Sequence, residues 1–295
     1  MTQKTIYALG FFDGVHLGHQ ALLTACRHLA QRTGCAAGAV TFTAHPESLV
    51  QGKAPMLINS IQDRGWLLLG LGMMQLVELP FDTQLRSMAW QDFLQMLRRD
   101  HGAAGFVCGD DFRFGFGGEG NAQRLGDYCR ENGLPWAVVP AQSCDGVRVS
   151  STHIRELLAQ GRMEEATRFL GHPHVLSGKV IPGRQLGRTL GVPTANLEIP
   201  EGLVALRHGV YACKATVDGN IYLAVTNVGN RPTVGGHHTT VEPWLLDFDG
   251  DLYGKPLTLA FHRFLRPEEK FDSLEDLKAE IEKNAAQVRK IFENT

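Results

Sequence analysis

The sequence predicts an α/β region built on a parallel sheet, followed by a small antiparallel β-barrel with a helix at its C-terminal end. Up to about residue 171, apolar strand-like runs alternate with helical patterns. Beyond Gly171–His174 the alternation stops, and short β patterns follow with the hairpin signals Asp218-Gly219 and Asp249-Gly250. Apolar residues then recur at helical spacing over Leu274–Ile291, behind the capping pattern of Ser273. We therefore expect two domains, residues 1–171 and 172–295.

The predicted elements of the first region follow one another as strand and helix. In chain order they are a strand over Ile6–Phe11, a helix from about Gly18, a strand over Gly38–Thr43, a helix over Ser60–Leu71, a strand over Gln75–Leu79, a helix over Trp90–Leu97, a strand over Gly105–Gly109, a helix over Asn121–Asn132, a strand over Trp136–Pro140 and a helix over Ser151–Gln160. Such alternation is typical of a doubly wound parallel sheet, which binds ligands beyond the carboxyl ends of its strands.

The second region contains strand patterns and almost no helical ones. Its predicted strands are Val175–Ile181, Gly209–Val217, Asn220–Asn227, Thr239–Asp247 and Pro256–Phe264. Because few helices interrupt these short strands, the pattern favours a small antiparallel barrel.

Composition limits the classes of function. The formal net charge of -2 argues against general nucleic-acid binding. No apolar run is long enough to cross a membrane, and residues 1–4 lead into a core strand rather than a signal peptide. The six cysteines are scattered without a C-x-x-C pair, which favours reduced thiols and a cytoplasmic location. Self-association stays open.

The stretch Leu9–His19 reads as a strand end, a tight turn at Asp13-Gly14 and a helix start. A helix start presents unpaired N–H groups to an anion. His16 and His19 can face the same way across Gly18, which would let a phosphate approach the backbone. We interpret this as a triphosphate site. The alternative is two surface histidines near a helix start, and zinc is less favoured because no third ligand has suitable spacing.

The stretch Gly109–Asn121 contains a literal G-x-G-x-x-G from Gly115 to Gly120, and a helix follows it. A dinucleotide-binding turn would place the first glycine directly after the strand and an acidic residue after the next strand, and both are missing. The stretch is better interpreted as a glycine-rich, aromatic loop that lines a pocket, with a mobile surface loop as the alternative.

A second polar stretch, Val149–Leu158, begins the last predicted helix of the first region. Ser150 or Ser151 would cap that helix, and Arg155 lies one turn further along. Hydroxyls, helix N–H groups and a guanidinium together suit a phosphate. An ordinary capped helix with an exposed arginine is the alternative.

The barrel region contains its own glycine-rich basic stretch, Gly178–Asn196. It ends in Thr194 and Asn196, which alternate along an extended chain and so point to one side. A hydroxyl and an amide placed in this way could serve a magnesium–nucleotide, although the stretch lacks the Walker spacing. A flexible surface hairpin is the alternative.

Glu242 is an isolated acid in the predicted strand around Thr239–Leu246. A carboxylate within a β core suggests a functional role such as a general base. The alternative is that Pro243 makes this an edge strand with Glu242 in water.

Taken together, these stretches resemble the bacterial bifunctional riboflavin kinase/FMN adenylyltransferase family, also called FAD synthetases. The matching stretches occur in the family's order and are Phe12–His19, Gly109–Phe112, Ser150–Arg155, Gly187–Asn196, Asn230–Thr233 and Asp247–Gly254. The resemblance implies a nucleotidyltransferase-type α/β domain followed by a riboflavin kinase barrel. It implies riboflavin, FMN and ATP as ligands, with Mg²⁺ as the metal ion, and neither nucleic acid nor membrane as a partner.

The resemblance also implies roles for individual residues. Glu242 matches the family's base for riboflavin phosphorylation, while Thr194 and Asn196 match its magnesium and ATP residues. The residues expected to assist adenylyl transfer or to bind ATP and its phosphates are Gly14, His16, Gly18, His19, Asp111, Ser150, Ser151, Thr152, Arg155, Gly187 and Arg188.

One departure bears on the kinase half. The family usually has a histidine two positions after the catalytic glutamate, whereas Pro243-Trp244 follows Glu242 here. One alternative is therefore an FMN adenylyltransferase whose kinase-like barrel only binds flavin. Others are a non-enzymatic flavin or nucleotide sensor and a nucleotidyltransferase with another acceptor, although the latter would leave the barrel without a purpose.

Overall fold

The structure is a computed structural model that describes residues 3–45, 55–182, 192–233 and 236–293, with the backbone alone at 231–233 and 236–238. The chain forms two compact units. The first comprises Met1–Leu57 and Ile61–Ser151, and the second comprises Ile58–Ser60 and Thr152–Thr295.

The first unit is built on a five-stranded parallel sheet in the order β3-β2-β1-β4-β7. These strands are β1 (Thr5–Leu9), β2 (Ala36–Phe42), β3 (Gln75–Leu79), β4 (Ala103–Gly109) and β7 (Trp136–Val139). Two short hairpins add β5 (Arg113–Phe114), β6 (Gly120–Asn121), β8 (Ser143–Cys144) and β9 (Val147–Arg148).

The helices of the first unit connect these strands. They are α1 (Leu17–Thr33), α2 (Ile61–Gly70), α3 (Thr83–Ser87), α4 (Trp90–His101) and α5 (Ala122–Glu131). The unit ends at the first residue of the next helix, α6 (Ser151–Ala159).

Both faces of the central strand are buried, and its side chains alternate between two apolar clusters. Tyr7 and Leu9 belong to one cluster, whereas Ile6 and Ala8 belong to the other. This alternation follows from the two-residue period of a strand. A strand covered on both faces has a continuously apolar sequence, which is why the pattern predicted a buried strand here.

The second unit is a closed six-stranded barrel in the order β10-β11-β14-β13-β12-β15. Its strands are β10 (His174–Ile181), β11 (Asn196–Glu198), β12 (Gly209–Val217), β13 (Asn220–Thr233), β14 (Gly236–Leu245) and β15 (Pro256–Arg266). Its helices after α6 are α7 (Met163–Leu170) and α8 (Leu274–Phe292). Ser273 caps α8 by accepting a hydrogen bond from the Asp276 amide at 3.1 Å, as the sequence predicts.

The predicted fold class, a parallel-sheet α/β region followed by an antiparallel barrel with a closing helix, is confirmed. The first strand is shorter than predicted, because the chain leaves the sheet after Leu9. The sequence missed several short elements, namely α3, α7, β11 and the hairpins β5–β6 and β8–β9. Elements of two to eight residues contain too few periods for a hydrophobic pattern to be recognised. Within the described ranges, no helix has both the length and the apolar character needed to cross a bilayer.

Barrel stability is expected to fall in acid because of His174. The residue is 2% exposed, and burial, followed by the nearby charge of His172, lowers its pKa to about 3. The unfolded chain binds a proton near pH 6.5 and the folded chain does not, so stability decreases as pH falls from about 6.5 towards 3. This single group should remove about 1 kcal/mol between about pH 6.5 and 5.5.

Urea unfolding at several pH values would measure this effect. His174→Met should flatten the decline in the unfolding free energy, while His28→Met, at an exposed position of α1, should keep the wild-type slope. An unchanged slope in His174→Met would show that His174 does not cause the acid sensitivity.

Candidate functional site

The turn between β1 and α1 has an unusual backbone. Phe12, Gly14 and Val15 have φ values of 59°, 82° and 41°. Positive φ suits glycine but costs about 1–3 kcal/mol for a bulky or β-branched residue. Phe12 and Val15 are both 0% exposed, so packing holds the strained turn in place. Strain of this kind concentrates at functional sites.

The structure brings His16 and His19 together, as their spacing predicts. His16 caps α1, and its Nδ1 accepts a hydrogen bond from the His19 amide at 3.3 Å. The two rings are stacked with centroids 3.6 Å apart. A Cβ at Gly18 would lie 3.2 Å from Cε1 of His16, so glycine leaves room for the capping ring. The result is a pair of imidazoles at the positive end of a helix.

The pKa of His19 lies well below its ordinary value. Burial is the largest cause, and the charges of His16 and Arg64 act in the same direction. Nδ1 of His19 has no hydrogen-bond partner within the described ranges. A neutral imidazole carries one N–H donor and one acceptor nitrogen, so His19 can donate to a phosphate oxygen without carrying charge.

Ser151 is tied to the same turn. Its hydroxyl donates a hydrogen bond to the carbonyl of Asp13 at 3.0 Å, and Asp13 itself is 2% exposed. Ser150 immediately precedes α6, while Thr152 and Arg155 follow Ser151 on that helix. Arg155 therefore lies one helical turn after Ser151. The phosphate roles of these residues stay predictions.

Beside the carboxyl ends of β1, β2 and β4 lies an aromatic cavity of about 770 Å³. Phe112 and Phe114 are stacked with ring centroids 5.6 Å apart, and the ring of Phe11 meets His45 edge to face at 4.7 Å. This size and lining suit a flat apolar ring system. The lining residues are Phe11, Phe42, His45, Phe81, Leu85, Arg86, Phe93, Asp111, Phe112, Arg113, Phe114, Gly115, Phe116, Gly117 and Gly118.

The glycine-rich loop after β4 lines this cavity, which confirms that part of its interpretation. Gly115 has a φ of 73°, and a Cβ there would lie 2.6 Å from the Trp90 backbone. Only glycine fits such a position without a shift of the neighbouring chain. The loop's glycines thus serve close packing around a cavity, in agreement with the rejection of a dinucleotide-binding turn.

Asp111 lies at the rim of the same cavity, where its carboxylate accepts a hydrogen bond from Arg148 at 2.5 Å. The sequence analysis missed Arg148, which belongs to the hairpin β8–β9. Asp145-Gly146 forms the turn of that hairpin with φ values of 52° and 79°. An Asp-Gly pair is a strong hairpin signal, so this element was detectable in the sequence.

Two further cavities lie among the described residues of the barrel unit, and Thr194 lines both. The larger, about 380 Å³, has the lining residues Val192, Thr194, Val210, Val225, Asn227, Glu242, Trp244, Arg266, Glu268, Glu269, Phe271, Leu277, Ile281 and Asn284. The smaller, about 260 Å³, has the lining residues Val180, Pro193, Thr194, Ala195, Leu245, Phe248, Asp249, Gly250, Asp251, Leu252 and Tyr253. Two ligands could therefore meet at Thr194.

Glu242 lines the larger barrel cavity and is partly buried. Its strand β14 pairs with β11 on one side and β13 on the other, so the edge-strand alternative is wrong. Pro243 has no N–H to donate, but its carbonyl still accepts a hydrogen bond from the Ala195 amide at 2.9 Å. Glu242 stands opposite Asn227 in the β13–β14 register. The carboxylate thus faces a cavity from an interior strand.

Charged residues that the sequence analysis missed complete this cavity. Arg266 pairs with Glu280 at 3.3 Å, and both side chains are less than one-fifth exposed. Arg266 also lies over the ring of Phe271, and Asn227 donates to Glu268 at 3.4 Å. These residues come from β13, β15, the segment after β15 and helix α8, and only the folded unit brings them together.

The remaining predicted barrel residues are placed differently. Asn196 begins β11 and is 8% exposed, whereas Thr194 is exposed. Thr194 lines both barrel cavities and Asn196 lines neither. Gly187 and Arg188 lie outside the described residues.

The oxygen atoms of Thr194 and Asn196 suit a magnesium ion that is bound mainly by the phosphates of the nucleotide substrate. Over the described part of the chain, no group of three His, Cys, Asp or Glu residues could hold a metal. Mg²⁺ prefers oxygen ligands and is often held by one or two protein groups together with nucleotide phosphates. The Thr194 hydroxyl and Asn196 amide oxygen are ligands of this chemical kind.

Fold and sites together define a two-centre transferase that uses nucleotides. One centre lies at the strained first turn of a parallel sheet, beside an aromatic cavity. The other lies in a barrel, where Glu242 lines one cavity and Thr194 is shared with a second.

Comparison with known proteins identifies the family. The family model of FAD synthetase matches residues 1–153, and that of riboflavin kinase matches residues 170–292. The chain is 36% identical to the bifunctional riboflavin kinase/FMN adenylyltransferase of Pseudomonas fluorescens, over 96% of this chain and 92% of that protein. The protein of the same name from Listeria monocytogenes is 33% identical, with 97% and 92% covered. The chain belongs to the family of bifunctional riboflavin kinase/FMN adenylyltransferases, as the sequence motifs indicate.

A solved structure supports the complete architecture. The crystal structure of a protein from Streptococcus pneumoniae, described as a macrolide-efflux protein, has a TM-score of 0.87 with this chain. The two chains are 28% identical, and the similarity covers 98% of this chain and 95% of the other. The order of sheet unit and barrel unit is therefore shared along the full length.

Proposed function

We propose that the barrel unit phosphorylates riboflavin to FMN and that the sheet unit adenylylates FMN to FAD, with ATP consumed in both steps. The observation that supports this division is that each unit has its own cavity beside its own polar site. The domain boundary near residue 171 belongs to the same proposal. The two family models leave residues 154–169 unmatched, and the compact units divide between Ser151 and Thr152.

In the sheet unit, we assign the aromatic cavity to the isoalloxazine ring of FMN. An oxygen of the FMN phosphate attacks the α-phosphorus of ATP, and the bond to the β-phosphate oxygen breaks to release pyrophosphate. The nucleophile is already anionic near neutral pH, so catalysis needs positioning and charge stabilisation rather than a strong base. The donors of this unit assigned to the phosphates are His16, His19, Ser150, Ser151 and the N–H groups at the start of α1 near Gly14 and Gly18. The phosphate roles proposed for Thr152 and Arg155, which belong to the second compact unit, come from the family resemblance.

In the barrel unit, the larger cavity would hold riboflavin and the smaller one ATP. The terminal ribityl hydroxyl is a poor nucleophile until a base accepts its proton, and Glu242 is assigned that role. The hydroxyl oxygen then bonds to the γ-phosphorus, and ADP leaves. Thr194, which lines both cavities, lies where the two substrates would approach each other.

Mg²⁺ is the proposed metal ion, with Thr194 and Asn196 as its protein ligands in the barrel. When bound, it neutralises charge on the ATP phosphates. Removing divalent ions with EDTA should therefore reduce both FMN and FAD formation at least 100-fold, and excess Mg²⁺ should restore them. Full activity in metal-free buffer would contradict this assignment. Titration with Mn²⁺ or Ca²⁺ would test the ion preference.

A product assay tests the proposed function directly. Riboflavin, ATP and Mg²⁺ are incubated with the protein, the flavins are separated over time, and a parallel reaction starts from FMN. FMN should form transiently and then give FAD. FAD formed only from added FMN would mean that the barrel binds flavin without phosphorylating it. If neither reaction gave FAD while ATP still bound, a sensor role would replace the enzyme.

The cellular setting is also part of the proposal. All six cysteines are free thiols, and four of them are buried, which suits the reducing cytoplasm. Riboflavin, FMN and ATP are the proposed small-molecule ligands, and neither nucleic acid nor a membrane is proposed as a partner. Self-association remains open to measurement by sedimentation.

A further inference from the structure

Arg64 on α2 is the largest completely buried side chain of the described residues. Its Nη2 donates a hydrogen bond to the carbonyl of Phe42 at 2.7 Å, whereas its Nε and Nη1 find no partner within the described part of the chain. A buried cation with so few hydrogen bonds is costly, and apolar replacements at such sites are often neutral or stabilising. Stability alone therefore does not explain an arginine at this position.

The contacts of Arg64 join the ends of two neighbouring strands. Its guanidinium lies 4.4 Å from the ring centroid of Phe11, which follows β1, while its hydrogen bond holds Phe42, the last residue of β2. A guanidinium on an aromatic face adds attraction, which is strongest where water is excluded. Arg64 thus holds the backbone of Phe42 and the ring of Phe11.

Those two aromatic residues line the same cavity. Phe11 and Phe42 both belong to the wall of the 770 Å³ aromatic cavity, whereas Arg64 is not among its lining residues. The ring of Phe11 also supports His45 by an edge-to-face contact. A shift of Phe11 would therefore displace two aromatic groups of the wall at once.

Charges around Arg64 connect it with the phosphate turn as well. Burial lowers the pKa of Arg64, and the charges of Asp13 and Glu78 oppose that change. Asp13 is the residue whose carbonyl accepts the Ser151 hydroxyl. The same buried cation therefore contacts the wall of the aromatic cavity and acts electrostatically on Asp13 and His19 of the turn region.

We infer that Arg64 is a positioning residue for adenylyl transfer, which holds Phe11 and Phe42 in place as the wall against which the flavin ring of FMN packs. The inference depends on the proposed assignment of the aromatic cavity to FMN. Arg64 itself touches no substrate, so its removal should affect FMN binding before it affects the chemical step.

Full-length Arg64→Met and Arg64→Lys proteins test the inference. Arg64→Met keeps a long side chain but removes the planar guanidinium group and its positive charge. It should raise the KM for FMN about 10-fold, while the KM for ATP and the rate of riboflavin phosphorylation stay within about 2-fold. Arg64→Lys keeps the cation near Phe11 but cannot reproduce the planar fork, so it should rescue FMN binding in part. The matched control is Arg27→Met, which removes an exposed arginine that contacts the carbonyl of Leu71 at 3.4 Å.

Two outcomes would overturn the inference. One is an unchanged KM for FMN in a folded Arg64→Met protein, and the other is an equal increase in the KM for FMN and for ATP. If Arg64→Met does not fold, Arg64→Lys decides, because a wild-type KM for FMN in that variant would show that the fork is not needed.

Phe112→Ala separates this inference from the cavity assignment. The ring of Phe112 lines the cavity and stacks on Phe114, and no contact between Phe112 and Arg64 is found among the described residues. If Phe112→Ala leaves the KM for FMN unchanged, FMN does not bind in the cavity. If Phe112→Ala raises that KM and Arg64→Met does not, only the role of Arg64 is wrong.

Discussion

Glu242→Gln is expected to abolish FMN formation from riboflavin while FAD still forms from added FMN. Glutamine keeps the shape of the side chain and loses the oxygen that accepts the ribityl proton. General-base assistance is worth about 10²–10⁴-fold, so we expect about a 1,000-fold loss in the rate of riboflavin phosphorylation. Because Glu242 lines a barrel cavity and the aromatic cavity lies in the sheet unit, the second step should keep its rate.

Glu269→Gln is the matched control for this experiment. Glu269 lines the same cavity and carries the same charge, but it lies in the segment after β15 and not on an interior strand. It should keep riboflavin phosphorylation within about 10-fold of wild type. Comparable losses in the two variants would show that the cavity needs negative charge rather than a base at Glu242.

His19→Ala is expected to slow FAD formation while riboflavin phosphorylation continues, which is the reverse of the Glu242→Gln result. Removing one preorganised donor to a developing charge costs about 10²–10³-fold, so FAD formation from FMN should fall by that factor while riboflavin is still phosphorylated. FMN would then accumulate as the end product. His19→Asn, which keeps an N–H donor, should recover part of the rate.

The control for His19 is His28→Ala, at an exposed position on the same helix α1. It should leave both rates unchanged. A mixture of the Glu242→Gln and His19→Ala proteins should convert riboflavin to FAD, since FMN released by one can be used by the other. If either single substitution stopped both steps in a folded protein, the assignment of one reaction to each unit would be wrong.

Much of the fold could be predicted because its signals are local. Strands β1, β2, β4 and β7 have mostly apolar sequences with glycine or proline close to an end. The amphipathic helices α4 and α8 are long enough to show a period. The change from alternating strands and helices to short β patterns predicted the barrel. His16 and His19 were also predictable as a pair, because three residues span about one helical turn.

The composition of the cavities could not be predicted in this way. Phe11, Phe42, Phe93 and Phe114 come from four separate segments of the sheet unit, namely the turn after β1, strand β2, helix α4 and strand β5, and the fold alone makes them neighbours. Arg64 had no sequence signal, since an arginine on an amphipathic helix is ordinarily exposed. Arg148 did have a sequence signal, which is the Asp145-Gly146 turn of its hairpin. Its strand was still missed, because two residues are too few to show a period.

The sequence by itself determined the order of the two regions, their strand and helix types, the family and the motifs of each centre. Local periodicity and short-range spacing contain this information. Only the tertiary structure decided that Glu242 lies on an interior strand, that Thr194 lines two cavities and that a buried arginine supports the aromatic wall. These features depend on strand pairing and packing between residues far apart in the chain, which no local pattern records.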